Sequence, residues 1–111
     1  MKDLRFKRKY YLMVQSGLKT LECRVNYQNL RSIRVGEQVK FFWEHLSVIV
    51  EVLAIRRYQT FREMLLNEDV EKLIPGMPKE QALFEYESVY PEWKVRKNAG
   101  LIVFEVKIVC R

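Results

Sequence analysis

The sequence predicts an α+β protein: a small mixed or partly closed β-barrel with short helices flanking it. Three observations carry that prediction. Two β-rich runs, 38–43 and 47–58, are joined by a tight connection at Glu44-His45-Leu46, which favours antiparallel pairing. Short helix-period segments fall between the strand-period ones without the regular alternation of a parallel sheet. No glycine-rich loop joins a strand to a helix, so neither a doubly wound sheet nor a nucleotide phosphate cradle has support.

A chain of 111 residues is expected to form a single domain, 1–111, around one core. Hydrophobic residues make up 49% and charged residues 31%, a folded composition that excludes a disordered chain. Two cysteines are too few for a disulfide scaffold. Cys23 and Cys110 sit in apolar runs and read as buried free thiols, with a disulfide between them as the alternative. Met1 to Lys9 is basic but precedes no apolar stretch, and Leu46 to Ile55 is broken by Glu51 and too short to span a bilayer. The expectation is a cytoplasmic protein with no membrane partner. A net charge of +6 favours polyanions as partners.

Phe6 to Gln15 has helical spacing, with Phe6, Tyr10, Met13 and Val14 on one face. Gly17 is placed to stop that helix. From Lys19 to Val25 polar and apolar residues alternate, as on a strand. Arg34 to Glu37 reads as a turn, and Gln38 to Trp43 as the next strand. After the tight connection, Ser47 to Tyr58 puts Val48, Val50 and Val52 on one face and Ile49, Glu51 and Leu53 on the other. Thr60 is an N-cap with Glu63 at the capping-box position, for a helix reaching Asn67. Glu68 to Ile74 adds a helical turn or two. Pro75-Gly76-Met77-Pro78 punctuates the chain. Lys79 to Val89 is a helix with Ala82, Leu83, Tyr86 and Val89 on one face, ended by Tyr90-Pro91. Asn98 to Gly100 is a loop, and Leu101 to Cys110 a final strand with Ile102, Phe104, Val106 and Ile108 on one side. No internal repeat or low-complexity segment interrupts this order.

The stretch SGLKTLECR, residues 16–24, concentrates the candidate chemistry. A period of two sends Leu21, Cys23 and Val25 to the core and Thr20, Glu22 and Arg24 to the other side, with Lys19 able to reach over it. Two readings stand side by side. The first is the wet face of a strand carrying an ordinary surface Glu–Arg pair, worth ~0–1 kcal/mol. The second is a site, in which Lys19 and Arg24 contact a phosphate or a base edge and Glu22 serves as acceptor or proton shuttle.

The order helix, S-G-x-K-T-x-E-x-R, V-G-E before a strand, Tyr58-Gln59-Thr60-Phe61, Pro75-Gly76, Val89-Tyr90-Pro91 and a closing strand from Gly100 resembles the ASCH domain family. It covers nearly the whole chain. The resemblance implies a PUA-like barrel with a cleft beside residues 16–24, lined by Gly17, Lys19, Glu22 and Arg24, and association with RNA or a modified nucleoside. Some small members resemble amidohydrolases that deacetylate acetylcytidine, and others resemble metal-dependent ribonucleases. The amidohydrolase pattern Lys-Thr-x-Thr appears here as Lys19-Thr20-Leu21-Glu22, with Glu22 in the nucleophile's place, and the nearest candidate for that group's later glutamate is Glu80.

Outside that stretch, Trp43 and Trp93 are candidates to stack on a base, or else to finish core edges. Lys7-Arg8-Lys9, Arg56-Arg57 and the group Lys94, Arg96, Lys97 are candidate phosphate patches. His45, the only histidine, falls in a loop and reads as exposed. No metal-ligand spacing occurs, and no cofactor is expected. The leading reading is an RNA-binding protein using Gly17, Lys19, Thr20, Glu22, Arg24, Trp43 and Trp93. The alternative is a nucleoside or RNA hydrolase using Lys19 and Glu22. A protein partner on the aromatic surface is the third. The sequence does not define an oligomeric state.

Overall fold

The structure, a computed structural model, describes residues 1–110 apart from the side chain of Cys110, so the thiol expected there lies outside the described residues. Its strands are β1 (Lys2–Arg5), β2 (Leu21–Val25), β3 (Gln38–Trp43), β4 (Leu46–Tyr58) and β5 (Leu101–Cys110). Its helices are α1 (Arg8–Gln15), α2 (Phe61–Asn67), α3 (Val70–Leu73), α4 (Lys79–Val89) and α5 (Glu92–Lys97). The strands form one sheet in the order β1-β3-β4-β5-β2, with β1 parallel to β3 and every other pair antiparallel. The sheet curls into a PUA-like half-barrel, the α+β class expected.

β4 and β5 form the spine. Trp43 pairs with Leu46 across Glu44 and His45, so the connection holds two residues and Glu44 takes φ 52 to close it. β4 runs 13 residues, and its pairing with β5 shifts register twice: the first shift leaves Val109 of β5 as the extra residue, and the second leaves Leu53 of β4. A bulge bends a strand and reverses the alternation beyond it. Val48, Val50 and Val52 therefore face the barrel interior as expected, and Ile55 joins them despite its odd spacing. Beyond the second bulge, Arg56 and Tyr58 pair with Val103 and Leu101 and turn to the outer face.

β5 is buried on both faces. Ile102, Phe104 and Val106 fill the interior with Leu4, Phe6, Tyr11, Val14, Phe41 and the β4 valines. Leu101 and Val103 pack outward with Leu21, Cys23 and Val25 against α2, α3, α4 and α5. Burying each such side chain contributes roughly 1.5–3 kcal/mol. Gly100 enters β5 at φ +101, and a Cβ there would lie 2.2 Å from the Tyr58 carbonyl oxygen, so only glycine fits.

Three elements differ from expectation. β1 was not anticipated: Lys2–Arg5 buries only Leu4 and is held by parallel pairing to residues far along the chain. That displaces the first helix, which starts at Arg8 and buries Tyr11 and Val14, leaving Phe6 in the link from β1. α5 follows Pro91 at once and buries Val95. The capping prediction at α2 holds, since the Thr60 hydroxyl accepts from the Glu63 amide at 3.1 Å. Among the described residues no helix is long and apolar enough to cross a membrane.

Candidate functional site: a cavity at the open seam

The half-barrel leaves β1 and β2 as its two edges. Between them lies a cavity of about 200 Å³. Its walls come from the β1–α1 link (Arg5, Phe6, Lys7), Tyr10 of α1, Lys19, β2 (Glu22, Cys23, Arg24), Ile74, and the end of α4 (Glu85, Tyr86, Val89, Tyr90).

The floor is built by S-G-L-K-T-L-E-C-R. Gly17 ends α1 at φ +84, where a side chain would be strained, and its amide donates to the Val14 carbonyl. The chain then turns into β2. Glu22 pairs with Phe104 and Arg24 with Ile102 on β5, and directly opposed residues share a face. Glu22 and Arg24 consequently point to the barrel interior. The wet strand face expected for them is covered by α1 and α4, and Glu22 is only 9% exposed.

Lys19 is buried more deeply, at 3% exposure. Its ammonium donates to the carbonyl oxygens of Leu21 and Leu73 at 2.6 Å each, and pairs with Glu22 Oε1 at 3.0 Å. An ammonium has three protons, so all are committed. The Leu73 carbonyl is one of those left free at the C-terminus of α3, where a cation is favourable. The sequence places Lys19 as a phosphate contact; in the structure it joins β2 to α3. The neighbouring Thr20 works through its backbone, its amide donating to Lys72 and its carbonyl accepting from Val106.

Arg24 closes the seam. Its Nε donates to Glu22 Oε2 at 2.7 Å, its Nη2 donates to the Arg5 carbonyl at 2.6 Å, and its guanidinium lies 4.9 Å from the centre of the Phe6 ring. One side chain thus bridges the two sheet edges, which have no backbone pairing to each other.

Burial alone would raise the Glu22 carboxyl. The Lys19 ammonium and the Arg24 guanidinium outweigh it and hold the carboxyl below its ordinary value. Glu22 therefore stays ionised. Burial pushes the Cys23 thiol up, with the Glu22 charge adding to it, so the thiol stays protonated and unreactive. Burial also raises the phenols of Tyr10, Tyr86 and Tyr90, and the Glu22 charge contributes to each. The hydroxyls of these three tyrosines make no hydrogen bond to other described residues. Phe61 fixes two of the rings from behind, stacked on Tyr86 at 4.9 Å and on Tyr90 at 5.9 Å.

The aromatic lining comes from tyrosines and Phe6, not from the tryptophans. Trp43 packs at the barrel mouth against Tyr11, with Arg8 over its ring, and Trp93 lies on α5 at 64% exposure. Neither lines the cavity, and nor do Gly17 and Thr20. Of the basic groups only the first reaches it, through Lys7. Arg56 pairs with Glu68 and Glu105, while Arg96 pairs with Glu92 and Lys94 lies over Tyr27. The glutamate that α4 brings to the cavity is Glu85; Glu80 is exposed in its first turn. Val89, expected on the packed face of α4, is half exposed at the cavity rim. The sequence reading also missed Arg5, Phe6, Tyr10, Glu85, Tyr86 and Tyr90 as site residues. The spacing of Tyr86 and Tyr90, one helical turn apart beside a helix-ending proline, was the available signal.

The fold and site define a PUA-like half-barrel with a carboxylate-floored, aromatic-walled cavity at its seam. The ASCH domain model matches residues 4–108, and the chain belongs to that family. The crystal structure of hypothetical protein PH0355 superposes over 98% of this chain and 100% of its own, with a TM-score of 0.84 at 28% identity. The solution structure of protein PF0455 from Pyrococcus furiosus superposes over 97% and 96%, with a TM-score of 0.76, also at 28% identity. No curated protein matches the chain.

Proposed function

We propose that this protein binds RNA or a nucleotide, with a base entering the seam cavity and its phosphates lying on the cationic rim. Membership of the ASCH domain family, for which nucleic-acid interaction is the general expectation, supports this reading. The observation that carries it is the clamped floor: Glu22 is ionised, held between Lys19 and Arg24, and still lines a cavity walled by aromatic rings. Tyr10, Tyr86 and Tyr90 suit the stacking of an unpaired base. Arg5 and Lys7, both exposed at the rim, suit phosphate. In this reading Lys19 and Arg24 orient Glu22, and Glu22 is the group that meets the base.

The hydrolase alternative asks Glu22 to take a proton from water and Lys19 to hold an oxyanion. A carboxylate kept below its ordinary value is a weak base, and an ammonium with three committed protons has none for a new oxyanion. The geometry supports recognition better than hydrolysis.

The test is titration of labelled single-stranded RNA with the protein at two salt concentrations, with the same samples run on denaturing gels. Salt-sensitive binding of intact RNA, weakened by Arg5→Ala, is the expected result. Absence of binding at low salt would remove the reading. Shortened RNA that requires Glu22 would replace it with the hydrolase.

A further inference from the structure

We infer that the seam cavity selects guanine, by the paired N–H donors on its base-pairing edge; this rests on the base-binding reading above. The argument is a count of lone pairs. An ionised carboxylate offers about four acceptor positions, two on each oxygen. Lys19 takes one on Oε1 at 3.0 Å and Arg24 takes one on Oε2 at 2.7 Å. One position remains on each oxygen. Lys19 and Arg24 are unlinked cations that repel each other, which favours the outer side of the carboxylate for each and leaves the two inner positions, adjacent and nearly parallel. They suit a planar ligand that presents two neighbouring donors, as in fork-to-fork pairing.

Among the four standard bases only guanine has that pair, its N1–H beside its exocyclic amine. Neutral cytosine and adenine place a ring-nitrogen acceptor beside the amine, and that lone pair would face carboxylate charge. Uracil sets one N–H between two carbonyl oxygens. The buried floor of the cavity sharpens these differences, because an acceptor opposed to a carboxylate costs more the less water reaches it. The guanine edge carries O6 next to N1–H, and the free phenolic hydroxyls of the cavity supply donors for it.

A guanidinium from a protein partner presents the same paired donors. Charge opposes it. The cavity is lined by Arg5, Lys7, Lys19 and Arg24 against Glu22 and Glu85, an excess of cations that repels a further one and favours a neutral ring attached to phosphate.

The experiment is calorimetric titration of the full chain with the 5′-monophosphates of guanosine, inosine, adenosine, cytidine and uridine, and with arginine. A single-stranded tetranucleotide containing one guanine, and its adenine counterpart, complete the set. Guanosine monophosphate should bind about 10- to 100-fold more tightly than the adenosine, cytidine and uridine forms. Inosine, which keeps N1–H and lacks the amine, should fall between. Guanine preference seen only in the tetranucleotide assigns the base to an RNA strand and supports the inference. Guanine preference already complete in the monophosphate assigns a free nucleotide and supports it equally. Cytidine or adenosine binding as tightly as guanosine, or arginine binding more tightly, overturns it. RNA binding without base preference overturns the inference and leaves the base-binding reading standing; no binding to any probe removes both. The wild-type ranking decides the matter even if Glu22→Gln does not fold. Where that variant folds, it should lose the preference while Glu68→Gln retains it.

Discussion

Glu22 and Glu68 are both buried carboxylates gripped by an arginine, approached from opposite faces of one sheet, and they spend their lone pairs differently. Glu68 accepts from Arg56 Nε at 2.6 Å, Arg56 Nη2 at 2.8 Å and the Tyr58 hydroxyl at 2.5 Å, and it lines no part of the seam cavity. Arg56 continues the network to Glu105 at 3.0 Å. Glu22 makes one contact with Lys19 and one with Arg24, and it lines the cavity with the rest of its capacity unused by the described residues. The one carboxylate is consumed in holding α2 to β4. The other is held in place by the fold and left partly unspent. Burial and a depressed pKa are common to both, so neither property identifies a site; unspent hydrogen-bonding capacity beside a cavity does.

Removing the arginine from each pair is the strongest way to break this comparison. Arg56→Ala removes both guanidinium bonds to Glu68 and leaves Tyr58 alone on it; because the Arg56 side chain is itself 35% exposed, the loss should be about 2–3 kcal/mol. Arg24→Ala leaves Glu22 paired with Lys19 beside an open cavity, and should cost about 1–2 kcal/mol. Urea unfolding of the two variants measures both. Equal losses would mean that the two carboxylates are equivalent and that the seam carries no special role.

Acid sharpens the same contrast. For Glu68, burial would raise the carboxyl, but the bonds from Arg56 and Tyr58 outweigh it and hold it below the ordinary 4.5. A folded-state pKa below the unfolded one stabilises the protein fully above the unfolded value, and that contribution disappears as pH falls through the folded one. The stability gap between wild type and Glu68→Gln should therefore be constant above pH 4.5 and close in more acid solution. A gap that stays constant down to about pH 2 would overturn the assignment of that pair. Glu22 obeys the same sign, so binding of RNA, whose phosphodiesters do not titrate there, should be flat from about pH 8 to about pH 5, without the neutral-range titration of a general base. In the same comparison, Glu22→Gln should weaken binding to guanine-containing RNA by about 10- to 100-fold, against less than about twofold for Glu68→Gln.

The strand and helix pattern was largely legible because β4, β5 and α4 carry their own periodicity and punctuation. Val48, Val50 and Val52 and the series Ile102, Phe104 and Val106 occupy the faces that alternation assigns them. What periodicity could not supply was anything decided at a distance. β1 has a single buried residue and exists through its pairing with β3. The bulge after Val52, beyond which Arg56 and Tyr58 turn toward Glu68, is visible only in the pairing of β4 with β5. The motif around Lys19 marked the right place, yet its polar side chains were readable as a wet face because the covering helices come from other parts of the chain. The depth of Lys19 and its bond to Leu73, 54 residues away, exist only in three dimensions. Arg5 was an ordinary terminal cation, and Lys7 part of one candidate basic patch among three, until β1 brought both to the seam.

Those two cations supply the smallest contrast. Arg24 is committed on both sides, to Glu22 and to the Arg5 carbonyl, whereas the Arg5 and Lys7 side chains are exposed at the rim. Counterion release makes a phosphate contact visible in the salt dependence of binding. Arg5→Ala and Lys7→Ala should each weaken RNA binding a few-fold at low salt, lower the salt slope by about 1, and leave the base ranking and the urea midpoint unchanged. Arg24→Ala should do the reverse, since it disturbs Glu22 without removing a phosphate partner. If instead Arg24→Ala lowered the salt slope and the rim variants did not, the phosphate would lie inside the cavity, and the base would have to be sought elsewhere on the surface.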